Sequence, residues 1–307
     1  MISVVEINAE SAVITVSKGF LLVRVDNVEE KIALDNIESL IINSHAALIS
    51  NHAIMRLSEL GIPVTHCGNN AIPCALTLPY GQNVYRKERI DLQLSASAPL
   101  EKNLWKQVIK AKIGNQAAVL ALCGKRSNDL ETLCGKVASG DIGNLEAVAA
   151  RIYWERLFGK GFRRNPDQEG INSFLNYGYA ILRASFCRNL VASGLLPELG
   201  IHHVNQKNPY CLADDLMEPF RPFMDLLIVS LGVTNDDPLT TKGKKSLISI
   251  LDLEQNFMDQ KTHLRFLVPR IINIYITSLA EKKPGLVYPE ITAATQCSIH
   301  EMIRDRQ

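Results

Sequence analysis

The chain has no uninterrupted apolar run approaching the roughly 18 to 20 residues needed to span a bilayer, and its longest candidates, such as FMDLLIVSLGV, fall well short. That excludes a transmembrane helix. Its first stretch, MISVVEINAESAVITV, lacks a basic segment followed by an apolar core, so nothing marks it for export and the cytoplasm is the expected location. There is no C-x-x-C pair among its seven cysteines, Cys67, Cys74, Cys123, Cys134, Cys187, Cys211 and Cys297. Their number is odd and most stand beside apolar residues, as in ALCGK, TLCGK and ASFCRN. A disulfide framework and a zinc knuckle are therefore excluded, and reduced, buried thiols are expected. Repeats of fixed period and low-complexity tracts are also missing.

What remains is the composition of a folded globular protein. The 307 residues are 47% hydrophobic and 21% charged, enough for one large domain or two ordinary ones. A net charge of +1 leaves the partner open, because a nucleic-acid binder can be neutral overall if its basic residues gather on one face. Such gatherings occur at YRKER (Arg86, Lys87, Arg89), KQVIKAK, GKGFRRN (Lys160, Arg163, Arg164) and TKGKKS (Lys242, Lys244, Lys245). Taken singly, each reads more readily as a solvated face than as a binding site.

Residues 1–80 read as β-rich, with SAVITVS, GFLLVRV and ESLIINS as short β-branched and aliphatic runs, and IPVTHC as a further strand. Between them SNHAIMRLSELG has a cap at Ser50 or Asn51, Ile54, Leu57 and Leu60 at helical spacing, and Gly61 as a stop. His45, His52 and His66 lie here without ligand spacing and read as structural or surface residues. Residues 81–99 are polar and interrupted by Gly81 and Pro99, as a linker would be. Over 100–307 the period becomes helical, first in LEKNLWKQVIKAKIGNQAAVLALCGK, where Leu104, Val108, Ala111, Asn115, Ala118 and Cys123 fall near one face. The expected fold is α+β: a small N-terminal β-rich domain, then a larger, mainly α-helical one.

Two places put carboxylates among apolar residues. In GNLEAVAARIYWERLFG, Glu146 shares a helical stripe with Ala150, Tyr153, Trp154 and Leu157. Either Asn144 caps this helix and Glu146 simply enjoys its first turn, or the carboxylate is functional. In GIHHVNQKNPYCLADDLMEPFRP, Asp214 and Asp215 are four and three residues before Glu218, on one helical face if Pro219 and Pro222 permit a helix. His202 and His203 precede them on a turn or loop. Imidazole plus carboxylates makes a metal site plausible; solvated polar residues beside packed apolar ones is the alternative.

LGIHHVNQKNPYCLADDLMEPFRP resembles the signature of the CRISPR-associated integrase family, the "Cas one" proteins, and most of all its type II members. There a glycine precedes the metal-binding His by three residues, and an acidic residue is followed by Pro-Phe-Arg-Pro. ISNHAIMRLSELGIPVTHCG resembles the end of the family's β-domain, AKIGNQ its first long helix, EAVAARIYW the helix carrying its first ligand, and INSFLNYGYAILRA its Asn-Tyr segment. The similarity covers nearly the whole chain; the last fifty residues or so are least diagnostic.

The resemblance implies that Glu146, His203 and Glu218 hold Mg²⁺ or Mn²⁺, with Asp215 orienting a ligand or a metal-bound water. It implies phosphodiester transesterification, in which the 3′-hydroxyl of captured foreign DNA attacks the repeat array, with endonuclease activity beside it. It further implies a homodimer through the β-rich domain, a small "Cas two" partner dimer, and double-stranded DNA as substrate; no membrane is involved. Aromatic residues such as Phe162 or Tyr177 are candidates for stacking on unpaired ends. A catalytically silent DNA-binding scaffold and a metal-dependent nuclease or transposase outside CRISPR are the competing expectations. Intact Glu146, His203 and Glu218 argue against the scaffold.

Overall fold

Along Ser11–Ser17 (β2) every second residue is buried, Ala12, Ile14 and Val16 facing one way, which is the period a half-covered sheet demands. The computed structural model describes residues 3–26, 28–68, 73–80, 85–165 and 167–304. Its N-terminal part holds β1 (Ser3–Asn8), β2, β3 (Phe20–Val25), β4 (Val28–Ala33), β5 (Ile37–Asn43), β6 (Ala46–Ile49), α1 (Asn51–Glu59), β7 (Val64–Cys67) and β8 (Pro73–Thr77). One sheet runs β4-β3-β2-β6 and the other β1-β5-β7-β8. β5 lies between β1 and β7, parallel to both, and is buried on both faces from Ile37 to Ile42. Ile14, Leu21, Leu40, Leu57 and Val64 fill the core between the sheets and α1. Ser50 caps α1 by accepting from the Ala53 amide at 3.2 Å, as its sequence predicts.

The remainder is helical: α2 (Arg86–Leu94), α3 (Ala98–Leu122), α4 (Asn128–Lys136), α5 (Leu145–Phe158), α6 (Ile171–Ala192), α7 (Cys211–Met217), α8 (Arg221–Ser230), α9 (Thr241–Ile248), the hairpin β9 (Glu254–Phe257) and β10 (Gln260–His263), then α10 (Leu264–Ala280) and α11 (Ala293–Arg304). α3 is the central post. Rather than one apolar face it buries Leu104, Trp105, Val108, Ile109, Ile113, Ala117 and Leu120 around much of its circumference, as a helix enclosed by others must. Gly178 lets α6 approach α8: a Cβ there would stand 2.5 Å from Met224 Sδ. The α+β architecture is as the sequence indicates.

Two details differ from the sequence reading. The stretch 81–99 carries α2 and the start of α3, with 81–84 outside the described residues. α2 has little apolar stripe to betray it and is docked instead by Gln93, whose Nε2 donates to the Leu196 carbonyl at 3.1 Å while Oε1 accepts from the Leu196 amide at 2.9 Å. Secondly, only Cys67, Cys187 and Cys211 are buried; Cys74 and Cys297 are exposed, and all seven are free. An apolar neighbour in sequence does not bury a thiol when the two face opposite ways.

The β-rich part meets the helices through ion pairs that are themselves buried. Lys244 lies 3.5 Å from Glu6 and Arg265 lies 3.5 Å from Glu38, while Asn8 donates to Thr241 Oγ1 at 2.9 Å. Among the described residues no helix is long and apolar enough to cross a membrane.

Candidate active site

Glu146 is placed by an unexpected cap. Asn144 occupies the left-handed region at φ 47° and its side chain caps nothing. Asp141 does so instead, its two carboxylate oxygens accepting from the amides of Leu145 and Glu146, each at 2.9 Å. A side chain four residues before the first position of α5 thus satisfies orphan amides of its first turn. Glu146 is held half-exposed at the edge of the Ala149–Tyr153–Leu157 stripe, and its Oε1 accepts a hydrogen bond from Lys112 Nζ of α3 at 2.6 Å.

Glu218 comes from the junction between α7 and α8. The two prolines of EPFRP do not abolish helicity; they restart it. Pro219 stands in the first turn of a short 3₁₀ segment, Glu218–Phe220, and Pro222 in the first turn of α8, where a missing amide hydrogen costs nothing. Asn115 fixes this corner, its Nδ2 donating to the carbonyls of Pro219 at 3.0 Å and Pro289 at 3.1 Å and its Oδ1 accepting from the Ile291 amide at 3.0 Å. The Glu218 carboxylate is then ion-paired twice, through Oε2 with Lys112 Nζ at 2.6 Å and through Oε1 with Arg221 Nη2 at 2.9 Å.

α7 buries all seven of its residues, so it has no solvated face on which its two aspartates could sit together. They diverge. Asp214 turns to Arg183 at 2.7 Å and Asn208 at 2.8 Å. Asp215, fully buried, receives the amides of His202 at 2.8 Å and His203 at 3.3 Å through Oδ2, while Oδ1 meets His203 Nδ1. Gly200 makes the loop possible: a Cβ would stand 2.5 Å from the His203 carbonyl and 2.9 Å from Asp215 Oδ2. Trp105 of α3 stacks on His202, rings 5° apart and centroids 4.3 Å, and meets the edge of His203 at 5.5 Å.

The charges are mutually adjusted. Burial pushes the Glu218 carboxyl up, but Arg221 and Lys112 outweigh it and hold its pKa below the ordinary value. The bond to Asp215 raises the His203 imidazole despite burial, and the Glu218 and Glu146 charges add to that rise. Burial depresses the Lys112 ammonium, yet Glu218 and Glu146 more than reverse it. Three of the four predicted residues, Glu146, His203 and Glu218, thus feel one another's field, and the fourth, Asp215, orients one of them.

Among the described residues no three His, Cys, Asp or Glu side chains surround one point at metal-ligand distance; the space between Glu146 and Glu218 is filled by Lys112. The donor set nonetheless suits a hard divalent cation. Two carboxylates are already gathered on a positive charge, and Asp215 engages His203 Nδ1, leaving Nε2 as the nitrogen able to ligate.

Lys112, Arg221, Trp105 and Asp141 were not singled out by sequence. Lys112 lies in KQVIKAK, counted there as a solvated basic cluster, yet it is buried; its Ile109 and Ile113 neighbours were the available signal. Other basic residues are structural too: Arg164 donates to Asn172 at 3.0 Å and to Asn176 at 2.5 Å. Tyr177 is a core residue beneath Lys244 and offers no free stacking face, while Phe162 is partly buried with its ring tilted against Trp154 and Phe158. His45 and His52 are exposed, and His66 Nε2 lies 2.9 Å from Thr77 Oγ1.

Comparison with known proteins gives the family. The family model for the CRISPR associated protein Cas1 matches residues 5–242. The chain belongs to the Cas1 family. It is 35% identical over 276 residues to a CRISPR-associated endonuclease Cas1 of Neisseria meningitidis serogroup C (strain 8013), covering 88% of this chain and 90% of that one. Its fold is similar to that of a casposase bound to integration product, with a TM-score of 0.78 and 20% identity over 99% of each chain. A CAS1 protein from Thermotoga maritima superposes with a TM-score of 0.75 and 17% identity, over 94% of this chain and 100% of that one. The Cas1 match ends in α9, so β9, β10, α10 and α11 lie beyond it.

Proposed function

We propose that this chain is a metal-dependent DNA integrase and endonuclease of CRISPR adaptation, joining captured foreign DNA to the repeat array by 3′-hydroxyl attack on a phosphodiester. The observation that carries it is the convergence of Glu146 and Glu218 on one cationic centre beside an Asp215-oriented His203. The 35% identical Neisseria protein is an endonuclease by name, and a casposase of the same fold is described bound to integration product. Both support phosphodiester chemistry here.

Glu146, Glu218 and His203 Nε2 would hold Mg²⁺ or Mn²⁺. When bound, the cation supplies Lewis acidity toward the attacked phosphate and the departing 3′-oxygen. The protein contributes order. Asp215 fixes the ring and tautomer of His203, Arg221 holds Glu218 against α8, and Asp141 aims the first turn of α5. His203 and Glu146, at 47% and 24% side-chain exposure, form the open side by which a phosphate arrives, while Asp215 and Glu218 form the closed floor. Double-stranded DNA, a second copy joined through the β-rich part and a small Cas2-type dimer are the partners this reading requires. A Cas6-RT-Cas1–Cas2 complex is among the proteins of similar fold. Work in the cytoplasm follows from such a substrate.

The test is strand transfer of a short duplex with free 3′-hydroxyl ends into a supercoiled repeat plasmid, with and without Mn²⁺ and the Cas2-type partner. Wild type transfers only with metal; Glu146→Ala and His203→Ala do not, while retaining most DNA affinity. A double variant with ordinary metal-stimulated activity would end the assignment.

A further inference from the structure

The two carboxylates proposed as metal ligands are neutralised in this structure by the protein's own side chains. Lys112 Nζ stands 2.6 Å from Glu146 Oε1 and 2.6 Å from Glu218 Oε2. Its side chain is 10% exposed, and it rises from the middle of α3 between buried Ile109 and Ile113. The ammonium therefore reaches the carboxylates along a packed stem rather than by chance from a mobile surface. Buried lysines are rare unless paired, and this one is paired twice.

We infer that Lys112 is a built-in competitor for the divalent cation: its ammonium occupies the gap between Glu146 and Glu218 in the metal-free protein and must withdraw before a metal enters. The inference rests on the metal-ligand reading above. Two arguments carry it. The first is spatial. Oxygen ligands approach Mg²⁺ or Mn²⁺ to about 2.0–2.2 Å, and a nitrogen already 2.6 Å from both oxygens leaves no room for a further cation between them. The second is charge. Two carboxylates, Lys112 and Arg221 sum to zero; a divalent ion added without displacement would put two more positive charges within a few ångströms of Lys112 and Arg221. Metal and ammonium thus bind with negative coupling, and the coupling is reciprocal. Without the ammonium, the two carboxylates would face each other unscreened; with it, they are neutralised and metal affinity is held down.

The test is Mn²⁺ binding by calorimetry at one pH to full-length wild type, Lys112→Met and Glu218→Gln. Lys112→Met is expected to bind Mn²⁺ at least about tenfold more tightly than wild type, and Glu218→Gln to bind it far more weakly. Equal or weaker binding by Lys112→Met, with Glu218→Gln still impaired, would overturn the competition and leave the metal site standing. Mn²⁺ binding by neither wild type nor Lys112→Met would overturn both. Because Lys112→Met leaves two carboxylates without their cation and can fail to fold, a second measurement uses wild type alone. Acetic anhydride labelling with mass spectrometry reads the reactivity of Lys112 against Lys87, whose side chain is 90% exposed. Reactivity at Lys112 should rise severalfold as Mn²⁺ saturates the site; unchanged protection at saturation would overturn the inference.

Discussion

Asp225 lies in α8 one turn beyond Arg221 and is buried, with no ion pair to a cation among the described residues. Tyr153 and Tyr179 donate to its carboxylate at 2.9 and 2.5 Å, and the guanidiniums of Arg164 and Arg221 lie over the Tyr179 ring at 5.5 and 4.8 Å. Burial outweighs both hydroxyls and both arginines, and pushes the carboxyl up to about 7. An unfolded aspartate titrates near 3.8, so between these values the native state holds a proton that the unfolded chain has lost. The protonated form is the one folding favours: its contribution is full below about pH 4 and is lost as pH rises through about 7. A rise from 3.8 to about 7 is worth on the order of 4 kcal/mol, of which somewhat more than half falls between pH 5 and 8. Asp225→Asn cannot ionise and lacks that slope. Urea unfolding of both proteins at pH 5, 6, 7 and 8 should show the stability difference moving in the variant's favour by that amount. Parallel profiles would refute the argument, and would mean that Asp225 is ionised in the native protein throughout.

Two further outcomes follow from the His203 loop. Asp215→Asn removes the charge that orients the His203 ring and should lower metal affinity or strand transfer about 10- to 100-fold, with the circular dichroism spectrum unchanged; near wild-type transfer would show that His203 needs no support. Gly200→Ala forces a methyl against the His203 carbonyl and Asp215 Oδ2 and should cost about 1–3 kcal/mol in urea unfolding together with most activity, whereas a neutral result would mean the loop relaxes freely.

Much of the fold was legible because it repeats a period. β2, α1 and α5 end within a few residues of where their spacing places them, since alternation and helical stripes are local signals of burial. What local pattern missed had non-local causes. α2 is held by a Gln93 amide that pairs a hundred residues away, at Leu196. Asp214 and Asp215, four and three residues before Glu218, read as sharing one helical face with it, but both are buried, each against a different partner. Capping by Asn144 was one of two readings of the start of α5, yet Asn144 has a left-handed backbone and no capping bond, and Asp141 takes the role.

By itself the sequence determined the α+β division, the helices and strands that alternate in hydrophobicity, and the set of acids and imidazole worth suspecting, because these depend on neighbours within a turn or two. Only the tertiary structure decided which of those groups meet. Lys112 of α3, Glu146 of α5 and Glu218 of the short segment before α8 meet only in space, and although Ile109 and Ile113 hint that Lys112 is buried, nothing in KQVIKAK says that it is enclosed between two carboxylates. Charge pairing at a few ångströms depends on where the chain returns in space, and that is set by the packing of the whole core rather than by any window of sequence.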